Sequence, residues 1–204
     1  MSDQLPRFDA TERAVHAAVA VLMIVCILTA AVLYNGPLAL AVGHRHAVEL
    51  VHVWSGFALP VPLVLGAVSA AYRTDLRRLN RFTPSDWDWL RSKDRRGGRI
   101  RVGKFNAGQK LNAALSTGAI LVLLGTGTIM YFTGLVRLSW RSGATFVHDW
   151  SALAIGLLVL GHLTFALRDT EALRGMWSGR VSARWARREH AAWVDEVQPP
   201  GADV

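Results

Sequence analysis

The sequence predicts an all-α membrane protein: a bundle of four transmembrane helices, with both termini and a basic loop between helices two and three on the cytoplasmic side. Three observations carry that expectation. First, 51% of the 204 residues are hydrophobic and mean hydropathy is +0.25, yet the isoelectric point is near 10.7. A soluble domain rarely combines these, whereas a small membrane protein with basic loops does. Second, four apolar runs approach or exceed the roughly 20 residues that cross a bilayer core. Third, lysine and arginine are sorted between the connecting segments rather than scattered.

The first run is 15–34, VHAAVAVLMIVCILTAAVLY. It is longer than the apolar part of a signal peptide, and the charges before it mix Asp3, Asp9 and Glu12 with Arg7 and Arg13, so it reads as a retained helix. Cys26 lies in it as the single cysteine of the chain. It can form no internal disulfide and belongs to no metal-binding cysteine pattern, so it reads as apolar filler. The second run is 47–72, the third 111–135 and the fourth 145–167. The chain thus divides into a tail over 1–14, a helical bundle over 15–168 that includes the loop 73–110, and a basic tail over 169–204.

Orientation follows from charge. The N-terminal tail, the loop 73–110 and the C-terminal segment together hold 20 of the 23 Lys and Arg residues. The positive-inside rule places those segments in the cytoplasm, and the membrane is then a bacterial inner membrane. The net charge of +8 is accounted for by this sorting, so no nucleic-acid partner is expected. In the long loop, Ser85 is the expected N-cap of a short helix with Asp86 and Asp88 in its first turn. Gly97, Gly98 and Gly103 are expected to break that helix. Trp54, Trp140 and Trp150 fall near the outer face, and Trp87, Trp89 and Trp177 near the inner, as an aromatic belt.

The seven histidines carry the chemistry. His148 and His162 sit fourteen positions apart in the fourth run. Fourteen helical residues rise about 21 Å and turn roughly 1400°, about 40° short of four full turns, so both side chains share one face at two depths. With the chain threaded as above, His52 and His148 lie near the outer face, and His16 and His162 near the inner. His44, His46 and His190 have no such placement and are expected to be exposed. An ionisable side chain inside a membrane helix is costly and by default functional. One such histidine is as readily a packing residue as a ligand, but four that pair by depth are not. Zinc asks for about four ligands per site, and two per level fall short, although Glu49 and Asp149 lie close to the outer pair. Haem b asks for two, and two axial imidazoles leave the iron to carry electrons rather than to bind oxygen or a substrate. Gly56, Gly118, Gly125, Gly127, Gly156 and Gly161 would make room for a porphyrin, or would let helices pack closely.

The segment GKFNAGQK (103–110), leading into the third helix, resembles the corresponding motif of the formate dehydrogenase gamma subunit, the membrane cytochrome b of respiratory formate dehydrogenases. ERAVH at the start of helix one, LVHVWSGF at the start of helix two, the fourteen-residue histidine spacing and the tail RGMWSGRVSARWARREH are similar to the same family. Ala17 and the segment REHAAW depart from its pattern without touching the histidines.

The resemblance implies two b haems, His52 and His148 ligating the outer iron and His16 and His162 the inner. It implies an iron–sulfur subunit on the outer face, fed by a molybdenum or tungsten catalytic subunit, and a quinone, usually menaquinone, reduced at the inner face in a pocket lined by Asn106, Gly108 and Gln109. Formate oxidation itself would not occur on this chain, which holds no catalytic residue for it. Asn and Gln side chains and a glycine-exposed backbone have the hydrogen-bonding chemistry a quinone carbonyl requires. The same haem arrangement would serve a hydrogenase, a thiosulfate reductase or another molybdoenzyme. A haem-free anchor and a metal-ion carrier are the readings without haem.

Overall fold

The computed structural model describes residues 3–95, 99–134 and 136–199. Gly97, Gly98 and Leu135 lie outside them. Four helical segments are long and apolar enough to cross a membrane: α1 (Ala10–Tyr34), the joined segment Arg45–Gly66, Ala107–Tyr131 and Leu138–Arg168. Their surfaces are greasy outside as well as in. Leu121 on the third is 63% exposed and Leu157 on the fourth 62%, which water would penalise and lipid would cover. The protein is an integral membrane protein.

After α1, a short α2 (Gly36–Val42) occupies the first connection. Asn35 caps it by accepting a hydrogen bond from the Leu38 N–H at 3.0 Å, and Gly43 ends it in the left-handed region at φ 70, a conformation glycine adopts without strain. The second span is two helices, α3 (Arg45–Ala58) and α4 (Pro60–Gly66). Pro60 has no N–H to continue the ladder, and the Leu59 N–H turns back to the Gly56 carbonyl at 3.2 Å. The span ends at Gly66, earlier than the expected 72. Ser69 then starts a separate polar helix, α5 (Ala70–Leu79), its hydroxyl accepting from the Tyr72 N–H at 3.3 Å.

Helix α6 (Pro84–Arg91) is capped by Thr83, not by Ser85. Pro84 takes the first helical position and Asp86 the third, so that the Asp86 carboxylate accepts the Thr83 N–H at 2.7 Å. This reciprocal arrangement outcompetes a cap at Ser85. Helix α7 (Ala107–Tyr131) follows, then α8 (Leu138–Arg168). The latter begins about two turns before the expected apolar run.

The C-terminal region is folded, with α9 (Thr170–Ser178), α10 (Ala183–Glu189) and α11 (Ala191–Val197). A two-stranded antiparallel sheet joins the chain ends: β1 (Gln4–Pro6) pairs with β2 (Arg180–Ser182), Leu5 opposite Val181. The all-α expectation therefore needs this small sheet added. Gly179 explains its entry. It sits at φ 78, a Cβ there would lie 2.5 Å from the Phe8 carbonyl oxygen, and its own carbonyl accepts from the Arg7 and Phe8 N–H groups at 2.7 and 3.1 Å.

The chain forms two compact units. One comprises residues 14–68 and 116–161, the other 1–13, 69–115 and 162–204. The core of the first draws one buried residue from each spanning segment: Met23, Leu59, Ile120 and Ile155. The core of the second is Leu5, Val181, Ala183, Trp185, Ala186, Trp193 and Val194.

Candidate functional site

In the first unit, α3 carries His52 and α8 carries His148, their ring centroids 6.3 Å apart and the planes inclined by 69°. Each ring is held from behind by a neighbouring helix. Thr29 on α1 lies 2.9 Å from His52 Nδ1, and Thr126 on α7 lies 2.9 Å from His148 Nδ1. Each threonine hydroxyl also donates to the carbonyl one turn back, Val25 or Val122, at 2.7 Å. The Cys26 carbonyl lies 3.2 Å from His52 Nδ1. A carbonyl only accepts, so that nitrogen carries the proton and the lone pair is on Nε2, across the ring. All four spanning segments contribute a residue to this arrangement.

The glycines divide. A Cβ at Gly127 would come within 3.3 Å of His148 Cε1, so any side chain there would press on the ring. Gly56, Gly118, Gly125, Gly156 and Gly161 would meet no other atom within 4 Å, and close helix packing does not explain them. His16 on α1 and His162 on α8 are exposed side chains. His44 and His46 are exposed as expected.

His190 is not. It is 2% exposed, with Nδ1 bonded to the Gly103 carbonyl at 2.7 Å and Nε2 to Arg7 Nη2 at 3.0 Å. Both ring nitrogens are thus committed. Arg7 is buried with it, 4.7 Å over the Trp185 ring, and donates to the Lys104 carbonyl at 2.7 Å. Burial pulls the Arg7 guanidinium down to about 10, which leaves it charged at neutral pH.

Asn106 and Gln109 form a reciprocal cap at the start of α7. The Asn106 side-chain oxygen accepts the Gln109 N–H, and the Gln109 side-chain oxygen accepts the Asn106 N–H, both at 2.9 Å. The two carbonyl oxygens are spent on the helix, and the two amide NH2 groups remain as donors. Gly108 is tight against Trp89: a Cβ would lie 3.0 Å from its indole. Trp89, expected as a belt residue, stacks under the Arg95 guanidinium at 4.9 Å.

The lysines flanking this motif are buried ion-pair members. Lys110 reaches Asp86 at 2.7 Å and the Arg81 carbonyl at 2.9 Å. Lys104 reaches Asp75 and, at 3.4 Å, Glu12. Burial, reinforced by the Glu12 carboxylate, lifts the Asp75 carboxyl to about 7 against the pull of Lys104. Burial also acts to raise Asp86, but hydrogen bonds from Lys110 and Thr83 prevail and hold it below the usual carboxylate range.

The family model for prokaryotic cytochrome b561 matches residues 7–179. The chain belongs to that family. Among relatives, it is 32% identical over 100 residues to the cytochrome b556(Fdn) subunit of the nitrate-inducible formate dehydrogenase of Escherichia coli K12, a stretch covering 48% of this chain and 46% of that one. It is 33% identical over 97 residues to the formate dehydrogenase cytochrome b556 subunit of Haemophilus influenzae, covering 46% and 41%. The chain spans about half the length of the relatives it matches.

Membership in the cytochrome b561 family implies haem b, and the residues of the first unit fit it. An imidazole nitrogen lies about 1.1 Å from its ring centre and binds a metal at about 2.0–2.1 Å, so two rings in line on one metal ion place their centroids ~6.3 Å apart. The rings of His52 and His148 stand at that separation. Metal-ligating histidines as a rule donate the other ring N–H to a fixed acceptor, which Thr29 and Thr126 provide. Among the described residues no group of three or more His, Cys, Asp or Glu could hold a metal ion. Sequence reading missed both threonines. The available signal was a threonine inside each of two apolar helices, Thr29 and Thr126, at the depth where the histidines fall.

Proposed function

We propose that this cytochrome b561 family member is the dihaem cytochrome b subunit of a formate dehydrogenase-like respiratory complex, passing electrons inward from an iron–sulfur subunit to a quinone. The observation that carries the reading is the His52–His148 pair, at bis-imidazole spacing and with Nδ1 committed on both rings. The relatives named as formate dehydrogenase cytochrome b556 subunits support the choice of complex.

In this reading His52 and His148 hold the outer haem and His16 and His162 the inner one, the second pair following from depth and the fourteen-residue spacing. Haem b, when bound, supplies one-electron transfer. Held by two histidines, the iron would be left to carry electrons rather than to bind oxygen or a substrate. Asn106 and Gln109 offer their NH2 groups to a quinone oxygen, and Trp89 against Gly108 forms a rigid aromatic wall beside them. Their oxygens, fixed in the helix cap, hold both amides in orientation. Both chain termini and the loop 73–110 face the bacterial cytoplasm, which supplies the two protons that a quinone takes up with two electrons. Each electron carried inward works against the membrane potential by roughly 2.3 kcal/mol per 100 mV for a full crossing. The fall in potential from donor to quinone supplies that work. The catalytic partner is a molybdenum or tungsten subunit, docked through the iron–sulfur protein on the outer face.

The test is purification of the intact complex through a tag on this chain. A formate-oxidising subunit, an iron–sulfur subunit and formate-dependent quinone reduction are expected. A hydrogen-oxidising or thiosulfate-reducing partner would keep the cytochrome and overturn the choice of complex. A complex without haem would overturn the cytochrome role.

A further inference from the structure

We infer that Thr29 and Thr126 are positioning residues that fix the tautomer and basicity of the outer histidine pair, and so help set the potential of the iron those histidines hold. The inference rests on the proposed haem ligation by His52 and His148, and it adds two residues that make no contact with the iron.

The two clasps are built alike. Thr29 donates its single hydroxyl proton to the helix behind it, with Val25 at 2.7 Å and Cys26 at 3.1 Å as acceptors. Thr126 does the same toward Val122 at 2.7 Å and Leu123 at 3.2 Å. With that proton committed, each Oγ1 presents only lone pairs to the ring 2.9 Å away, and the imidazole must donate Nδ1–H. A backbone carbonyl accompanies the hydroxyl at His52: Cys26 at 3.2 Å. The neutral tautomer with its lone pair on Nε2 is therefore imposed twice, from α1 and from α7.

A hydroxyl is a modest acceptor. It raises the basicity of the imidazole, and so the stabilisation of oxidised iron, less than a carboxylate would. Removing it lowers that basicity and favours the reduced metal. It also leaves the ring freer to turn, which weakens binding, since losing such an outer partner typically costs ~10–100-fold in metal affinity.

The experiment uses the full chain, purified with haem, and compares Thr29→Val, Thr126→Val and the double variant with Thr→Ser at both sites. Redox titration of the visible bands and haem transfer to an apo-globin acceptor are the readouts. In the double valine variant one of the two potentials should rise, by about tenfold in the reduced-to-oxidised ratio at fixed potential, or 59 mV for one electron. The same haem should leave faster, and the serine variants should behave as wild type. Thr128→Val is the control, because Thr128 makes the same bond one turn back, to Leu124 at 2.7 Å, without touching a histidine. If the valine variants do not fold, the alanine pair is measured in their place. Unchanged potential and haem transfer, or an equal shift in Thr128→Val, would overturn the inference while leaving the ligation standing. A folded wild-type chain that binds no haem would overturn the ligation itself.

Discussion

His148 and His190 are both histidines with Nδ1 bonded to an acceptor, and they end in opposite chemistry. His148 spends Nδ1 on Thr126 and faces His52 at 6.3 Å. His190 spends Nδ1 on Gly103 and Nε2 on Arg7, so nothing on its ring is left for a metal. The same contrast runs through the two units that contain them. The unit over 14–68 and 116–161 holds His52 and His148 with neutral hydroxyls and a carbonyl, as apolar surroundings require. The other buries charge: Arg7, Lys104, Lys110, Asp75 and Asp86 are each less than 10% exposed. There, Lys104 and Lys110 are paired with carboxylates, and Arg7 is held by the Lys104 carbonyl, His190 and the Trp185 ring. Whether such a histidine is a ligand or a strut depends on how many of its nitrogens the protein has already used.

The contrast can be broken most severely at the charges. Lys104→Met would strand Asp75 and Glu12, and Lys110→Met would strand Asp86. Losing one partner of a buried pair costs about 3–5 kcal/mol. Urea unfolding followed by tryptophan fluorescence, with Trp185 and Trp193 in the affected core, should show that loss. A cost below 1 kcal/mol would mean these ions are solvated rather than paired.

The histidines sharpen the contrast next. His190→Phe should keep the haem content of the wild type and lower stability only, because Arg7 and Gly103 lose their partner. His148→Ala should lose one haem. Equal haem loss in the two variants would erase the distinction between ligand and strut.

A smaller effect is expected at the helix cap. Asn106→Ala removes one side of the reciprocal cap, about 1 kcal/mol of stability, and one candidate quinone donor. Quinone reduction should slow with both haems retained. An unchanged rate would remove Asn106 from the pocket.

The pH dependence is the mildest. Asp75 titrates near 7 in the folded chain and near 3.9 when unfolded. The folded state therefore binds more protons between those values. The contribution of Asp75 is full below the unfolded value and is lost as pH rises through about 7. Melting temperature should fall from pH 6 to pH 8, and Asp75→Asn should flatten that slope. A slope unchanged by the substitution would assign it to another group.

Much of this was legible in the residues. The four spans follow from length and hydropathy, since lipid rewards little else. The grouping of His52 with His148 follows from charge-sorted topology and helical spacing. Thr29 and Thr126 were not legible, because the sequence does not say which helix stands behind a ring. His190 was misread for a related reason. A basic tail looks solvated until Leu5 is seen paired with Val181, which carries Arg7 into the tail's core. Local rivalry explains the smaller misses. Ser85 could cap a helix, but Pro84 and Asp86 favour Thr83. The apolar run to 72 could continue, but the Ser69 hydroxyl starts a new helix.

The most direct measurement is the haem content of the purified full-length chain by pyridine haemochrome, wild type beside His148→Ala, with the reduced spectrum recorded for each. Two b haems are expected in the wild type and one in the variant, both with six-coordinate low-spin spectra. A folded wild type with no haem, or a variant that keeps both, would contradict the dihaem reading.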